Sequence, residues 1–278
     1  MERRGRLAVA AVVPGTGAAA VRGGGLFVTA STVKVDLVAA LLLRHGGEGG
    51  LTDGQRELAE LSIVRSDNAA ASELYLLVGG ADGLDAAYRA LGLVETVAGR
   101  DGYWGLTRTT AGDRVRLLRR VFGAPVGAGP AAAGPGAAAG ALPGREWLAA
   151  LMGRVVAEQA WGVSAAGGGG GGVRLKNGWL PRSATGRWVV NSTGAVGAGT
   201  LVAVLSDGWR ERAEGVAAVE AAARWAVTSV TPATVTPATV TPATVTPAAS
   251  ATALTATAGR GPGGRDTGDW GPDGSTAQ

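Results

Sequence analysis

The chain opens with two short apolar runs, residues 7–13 and 18–21, separated by Pro14-Gly15-Thr16-Gly17. A Pro/Gly turn between two such runs predicts a β-hairpin. The period then changes. Over residues 31–44 the apolar positions Val33, Val35, Leu37, Val38, Leu41 and Leu42 recur at the spacing of a buried helix. Thr52-Asp53-Gly54-Gln55 precedes another periodic run, and a hydroxyl three residues ahead of a glutamine is a capping-box start. Further helices are predicted over 66–78, 82–91, 110–121 and 145–158. Strand-like runs return at 173–176, 187–191 and 200–206, and an Ala-rich helix follows at 211–227. Strands at both ends with helices between them predict an α/β (α+β) domain. Its mixed sheet is built and flanked from both termini, and a helical lobe is inserted in the middle. The cleft between the lobes is the expected site.

Three stretches interrupt this pattern. Residues 123–144 are almost all Gly, Ala and Pro and read as a loop inside the domain, and the glycines at 167–172 join a helix to the strand starting at Val173. From Val230 the chain repeats Val-Thr-Pro-Ala-Thr before a Gly- and Asp-rich end. Proline every five residues forbids a helix or a central strand, so residues 1–229 are predicted to form the domain and 230–278 a disordered Thr/Pro/Gly-rich tail. An extended spacer and an unselected extension both fit that tail.

Composition narrows the chemistry. The 278 residues include one histidine and no cysteine. That excludes a cysteine nucleophile, a disulfide framework, an iron–sulfur cluster and a Cys-based zinc site, and no His-rich metal site can be assembled. No metal or organic cofactor is implied. A Ser–His–Asp triad would have to use His45, which reads instead as a helix C-terminal residue favoured by the dipole. The base of a hydrolytic reaction is then a lysine or a carboxylate. Net charge is +4 with the basic residues scattered, so no nucleic-acid partner is expected. No apolar run reaches the ~18 to 20 residues that span a bilayer. The basic start followed by residues 7–13 superficially offers a signal peptide, but the apolar part is short and reads better as a strand.

Ser31-Thr32-Val33-Lys34 places a hydroxyl and an amine three residues apart at a helix start, on one face of the first turn. The serine suits attack on a carbonyl: its N–H lies among the unpaired donors of the helix N-terminus, and a partly neutral neighbouring amine can take its proton. Alone, this spacing equally describes an N-cap serine and a surface lysine. Ser66-Asp67-Asn68 at another helix start and Lys176-Asn177-Gly178 at a strand end add support, each with a chance expectation of about a few per cent.

In that order the three motifs resemble the Ser-x-x-Lys, Ser-Asp-Asn and Lys-Thr-Gly set of class A β-lactamases and penicillin-binding proteins. Phe27-Val28-Thr29-Ala30 before Ser31, Thr109-Thr110, Gly178-Trp179 and Trp188-Val189-Val190-Asn191-Ser192 extend the resemblance over about residues 5–228. It implies a β-lactamase/transpeptidase-like fold, with Ser31 as acylated nucleophile and Lys34 as its proton acceptor. Ser66 would pass a proton to the leaving nitrogen, and Asn68 would hold the substrate amide. Lys176 would lower the Lys34 pKa and attract the substrate carboxylate. Asn177, Gly178 and Trp179 would contact substrate, with the N–H groups of Ser31 and Trp179 as the oxyanion hole. Trp104, Trp161 and Trp179 are candidates to line the cleft; for Trp161, core packing is the competing reading. A β-lactam or peptidoglycan-related peptide is the implied partner, a monomer the implied state, and the extracellular space or cell envelope the implied location, with the true start lying upstream of Met1.

The chain departs from that pattern in three places. The family's Glu-x-x-Leu-Asn stretch on the omega loop is missing, and residues 94–109 offer only Glu95, Asp101 and the polar Tyr103 as deacylating groups. The Ser31–Ser66 interval is short, which opens the cleft. Asn177 replaces a hydroxyl residue. Together these predict slow deacylation, or a non-hydrolytic penicillin-binding or sensor module.

Overall fold

The structure, a computed structural model, describes residues 5–123, 141–167 and 172–231. Most of the loop expected at 123–144, the middle of the glycine run and the tail from residue 232 lie outside the described residues.

A five-stranded sheet is assembled from both termini. Strands β1 (Arg6–Val12) and β2 (Ala19–Arg22) come from the start, and β5 (Arg174–Arg182), β6 (Arg187–Val196) and β7 (Thr200–Asp207) from the end, in the order β2-β1-β7-β6-β5. Every pairing is antiparallel, so the expected mixed sheet is corrected. The reason is connectivity: β1–β2, β5–β6 and β6–β7 are sequential hairpins, and β7 meets β1 in opposite directions from Arg6↔Asp207 to Val12↔Leu201. A short ribbon of β3 (Phe27–Val28) and β4 (Arg108–Thr109) lies apart from it.

Period two along these strands divides the core. Ala8, Ala10 and Val12 of β1 pack with α1 (Lys34–His45) and α5 (Ala111–Phe122), whereas Val9 and Ala11 pack with α7 (Arg212–Val230). The sheet is therefore covered on both faces. Val230, expected to open the tail, is buried and forms the last residue of α7.

The helices α2 (Asp53–Glu60), α3 (Asn68–Leu77), α4 (Gly80–Leu91) and α6 (Arg145–Met152) complete the described domain. The Thr52–Gln55 capping box forms in both directions. The sixth helix stops at Met152, short of the expected 158, where Gly153 turns the chain. The fifth strand runs past its expected end through Pro181, which an edge strand tolerates. Lys176-Asn177-Gly178 thus lies inside β5.

A buried ion pair braces α1 against α5. Arg114 of α5 grips Asp36 of α1 at 2.5 and 3.0 Å, and the Tyr88 hydroxyl donates to the same carboxylate at 3.1 Å. All three are essentially inaccessible. Such a pair is costly to break from one side, because the remaining charge is left buried and unpaired.

Candidate active site

Ser31 lies in a 3-10 turn, Ala30–Val33, that runs directly into α1, with Lys34 its first residue. Serine and lysine are therefore one turn apart, as their spacing predicts. The turn is tied down from behind. Asn191 of β6 donates its amide to the Val28 and Thr29 carbonyls at 2.8 and 3.0 Å, and its Oδ1 accepts from the Ser206 N–H of β7. In front, Gly178 comes so close that a β-carbon there would stand 2.7 Å from the backbone nitrogens of Ser31 and Thr32. Only glycine lets β5 approach the Ser31 turn this far.

Ser66 arrives from the connection between α2 and α3. The π-turn Leu61–Arg65 ends on Ser66 in the left-handed region, φ 57°, and Asp67 caps α3 by accepting the Ala70 N–H at 2.8 Å. The reversal points the serine hydroxyl at two amines: Lys34 Nζ donates to Ser66 Oγ at 3.1 Å and Lys176 Nζ donates to it at 2.8 Å. Lys34 also donates to the Ser66 carbonyl at 2.6 Å and to Asn68 Oδ1 at 2.8 Å. Lys176 also reaches the Asn177 carbonyl at 2.8 Å.

Both amines are buried. Burial lowers Lys34 to about pKa 7, against the opposing pull of the Asp67 carboxylate. Burial likewise pushes Lys176 well below its ordinary value, and the charge of Lys34 adds to that. The expected cause is thus corrected for Lys34: desolvation lowers it, while the repulsion between the two amines is felt at Lys176. The indole of Trp104 stands 5.1 Å from Lys34 Nζ, fixed by its Nε1 donating to Ser72 Oγ at 3.1 Å.

The structure gathers Ser31, Lys34, Ser66, Asn68, Lys176 and Gly178 but not every expected side chain. Successive residues of β5 face opposite ways, so Asn177 and Trp179 point away from the Lys176 face. Asn177 donates both amide hydrogens, to the Gln159 and Trp161 carbonyls at 2.7 and 2.9 Å. The Trp179 ring packs 5.9 Å from that of Trp161, under the Arg212 guanidinium. The Glu95 carboxylate accepts from the Thr110 hydroxyl at 3.0 Å, and Asp101 sits on an exposed turn with φ 53°. His45 ends α1 beside Gln55, about 16 Å of helix from Lys34. Among the described residues no cluster of His, Asp and Glu is placed to hold a metal ion, and no helix is long and apolar enough to cross a membrane.

A sequence model of the Beta-lactamase enzyme family matches residues 45–128, a segment holding Ser66 and Asn68 but neither Ser31 nor Lys176. A crystal structure of a β-lactamase from Burkholderia phymatum superimposes with a TM-score of 0.63 at 20% identity, over 82% of this chain and 93% of that one. A mutant of the class A β-lactamase of the last common ancestor of Gram-negative bacteria, bound to 5(6)-nitrobenzotriazole, gives 0.60 at 24% identity, over 81% and 93%. The chain has the class A β-lactamase fold. A β-lactamase from Xanthomonas campestris pv. campestris gives 0.61 at 21% identity, over 79% and 90%. No curated protein matches the chain.

Within this β-lactamase-like fold, two polar residues near the site carried no signal of their own. Gln159 falls in an aperiodic stretch between a helix and the glycine run. Asn191 lay in a recognised strand, but its role emerges only when β6 is seen to pass behind the Ser31 turn.

Proposed function

We propose that this chain is a serine hydrolase that opens an amide, either a β-lactam ring or a D-alanyl peptide of the peptidoglycan type, through an acyl-enzyme on Ser31, with slow deacylation. The observation that carries this reading is the convergence of two buried amines on Ser66 Oγ, at 3.1 and 2.8 Å, one of them, Lys34, a single turn from Ser31. With a pKa of about 7, roughly half of Lys34 is neutral at neutral pH. It can take the Ser31 proton as Ser31 Oγ bonds to the carbonyl carbon. The carbon–nitrogen bond then breaks, and Ser66, in contact with both amines, delivers that proton to the leaving nitrogen. The Ser31 and Trp179 N–H groups receive the oxyanion, and Asn68 holds the substrate amide. Lys176, donating to Ser66 Oγ at 2.8 Å, holds that hydroxyl in place and attracts the substrate carboxylate. No metal or organic cofactor enters this chemistry, and the chain acts as a monomer in the extracellular space or cell envelope.

Hydrolysis of the acyl-enzyme needs a group to activate water, and the carboxylates of residues 94–109 are engaged elsewhere or on an exposed turn. That observation favours a second reading, a penicillin-binding or sensor module that is acylated and not released. Fluorescent penicillin tests the acylation: wild type labels and Ser31→Ala does not, and equal labelling of both would overturn the proposal. Intact mass then separates the two readings, since turnover within minutes marks a hydrolase and an adduct stable for hours marks a binding module.

A further inference from the structure

Gln159 ends a short 3-10 turn, Ala157–Gln159, and is buried beside Lys176. Its polar atoms reach three separate partners. The side-chain Nε2 donates to the Arg65 carbonyl at 2.9 Å, its Oε1 lies 3.5 Å from Lys176 Nζ, and its backbone carbonyl accepts from Asn177 Nδ2 at 2.7 Å. The same turn is pinned to the π-turn by the Val156 N–H donating to the Val64 carbonyl at 3.1 Å. Residues 156–159 thus bridge the loop that ends on Ser66 and the strand that carries Lys176. We infer that Gln159 is a positioning residue that holds Lys176 and Ser66 in register and keeps the surroundings of that amine free of negative charge. This inference rests on the proposed acylation of Ser31.

Two observations make the bridge necessary. Ser66 holds a left-handed backbone, φ 57°, that a serine adopts only when its neighbours impose it. The Gln159 bond to the peptide just before it supplies one such constraint. Lys176, for its part, donates to three neutral acceptors: Ser66 Oγ, the Asn177 carbonyl and Gln159 Oε1. The charges acting on the amine pair are Lys34 from the start of α1 and Asp67 from the cap of α3. A glutamate at 159 would place a further negative charge against the coupled amine pair, so that the pair sheds its first proton only at higher pH, whereas glutamine supplies the same acceptor without the charge. Asn177 belongs to the same device. Where the resemblance expects a substrate-facing hydroxyl, its amide instead holds the Gln159 and Trp161 carbonyls, which orients Gln159 towards Lys176.

Two isosteric variants separate the electrostatic role from the mechanical one. The rate of Ser31 labelling by fluorescent penicillin is measured across about pH 5 to 9. Gln159→Glu moves the acid limb of that profile up by about one pH unit. Gln159→Met, which loses both side-chain bonds, lowers the rate about ten-fold without moving the limb upward. Both profiles coinciding with that of wild type, or both rates falling only as the folded fraction falls, would overturn the inference. A second readout is independent of acylation. Lys176 and Lys34 have lowered pKa values in the fold, so the unfolded chain binds more protons and wild-type stability rises with pH from neutrality towards about pH 10. In Gln159→Glu that rise, followed by urea midpoint, is flatter; identical slopes would overturn the role of Gln159. A wild type that never labels but shows this flattening refutes the acylation reading while leaving the placement of Gln159 intact.

Discussion

Gly178→Ala is the sharpest single test of how the site is built. The new methyl would lie 2.7 Å from the backbone nitrogens of Ser31 and Thr32 and 2.9 Å from the Thr29 carbonyl oxygen. Ordinary carbon–nitrogen contact is about 3.4 Å or more, so strand and turn must separate by roughly 0.7 Å. Neither side yields easily. The turn is held by Asn191 and by the Thr29 N–H bond to the Thr107 carbonyl, and β5 is paired with β6 along its whole length. Overpacking of this kind costs about 1–3 kcal/mol of stability. Displacing a nucleophile by something near 1 Å costs on the order of a hundred-fold in rate. Gly178 has no positive φ, so alanine meets no backbone strain and the effect reports contact alone. The assay is the pseudo-first-order labelling rate with fluorescent penicillin, alongside a thermal melt. Gly54→Ala serves as control, since its β-carbon would meet nothing within 4 Å. A Gly178→Ala protein that labels at the wild-type rate and melts where wild type does would refute the close approach.

Three further outcomes follow. Lys34 must be neutral to accept a proton, so the labelling rate rises with pH through about 7 and levels off above it, and a profile flat from pH 5 to 9 would contradict that role. Arg114→Leu leaves Asp36 buried and unpaired and lowers unfolding free energy in urea by about 3–5 kcal/mol, most of which Asp36→Leu/Arg114→Leu restores. Glu95→Gln leaves the lifetime of the Ser31 adduct unchanged by intact mass, because its carboxylate bonds to Thr110.

The helix pattern was legible because α1 buries an apolar face at the spacing its sequence advertises, and the three motifs were legible because each is contiguous. Ser31 and Lys34 are one turn apart whatever the rest of the chain does. The direction of Asn177 was not legible: it depends on β5 being a continuous strand in which Lys176 takes one face and its neighbour the other. That continuity comes from pairing with β6, a tertiary fact. The antiparallel sheet was hidden for the same reason, since apolar runs show strands and not their directions. Gln159 had no periodic context, and Asp36 and Arg114 meet across 78 residues of sequence. The source of the lowered Lys34 pKa was also misassigned, because sequence shows a second lysine but not the burial that outweighs it.

The central claim is that Ser31 is acylated by an amide whose leaving nitrogen is protonated through Ser66. Intact mass followed by peptide mapping after incubation with benzylpenicillin tests it most directly. The protein gains the mass of one intact penicillin, the adduct maps to the peptide containing Ser31, and it is absent from Ser31→Ala. An unmodified wild type, or the same adduct on Ser31→Ala, would contradict it.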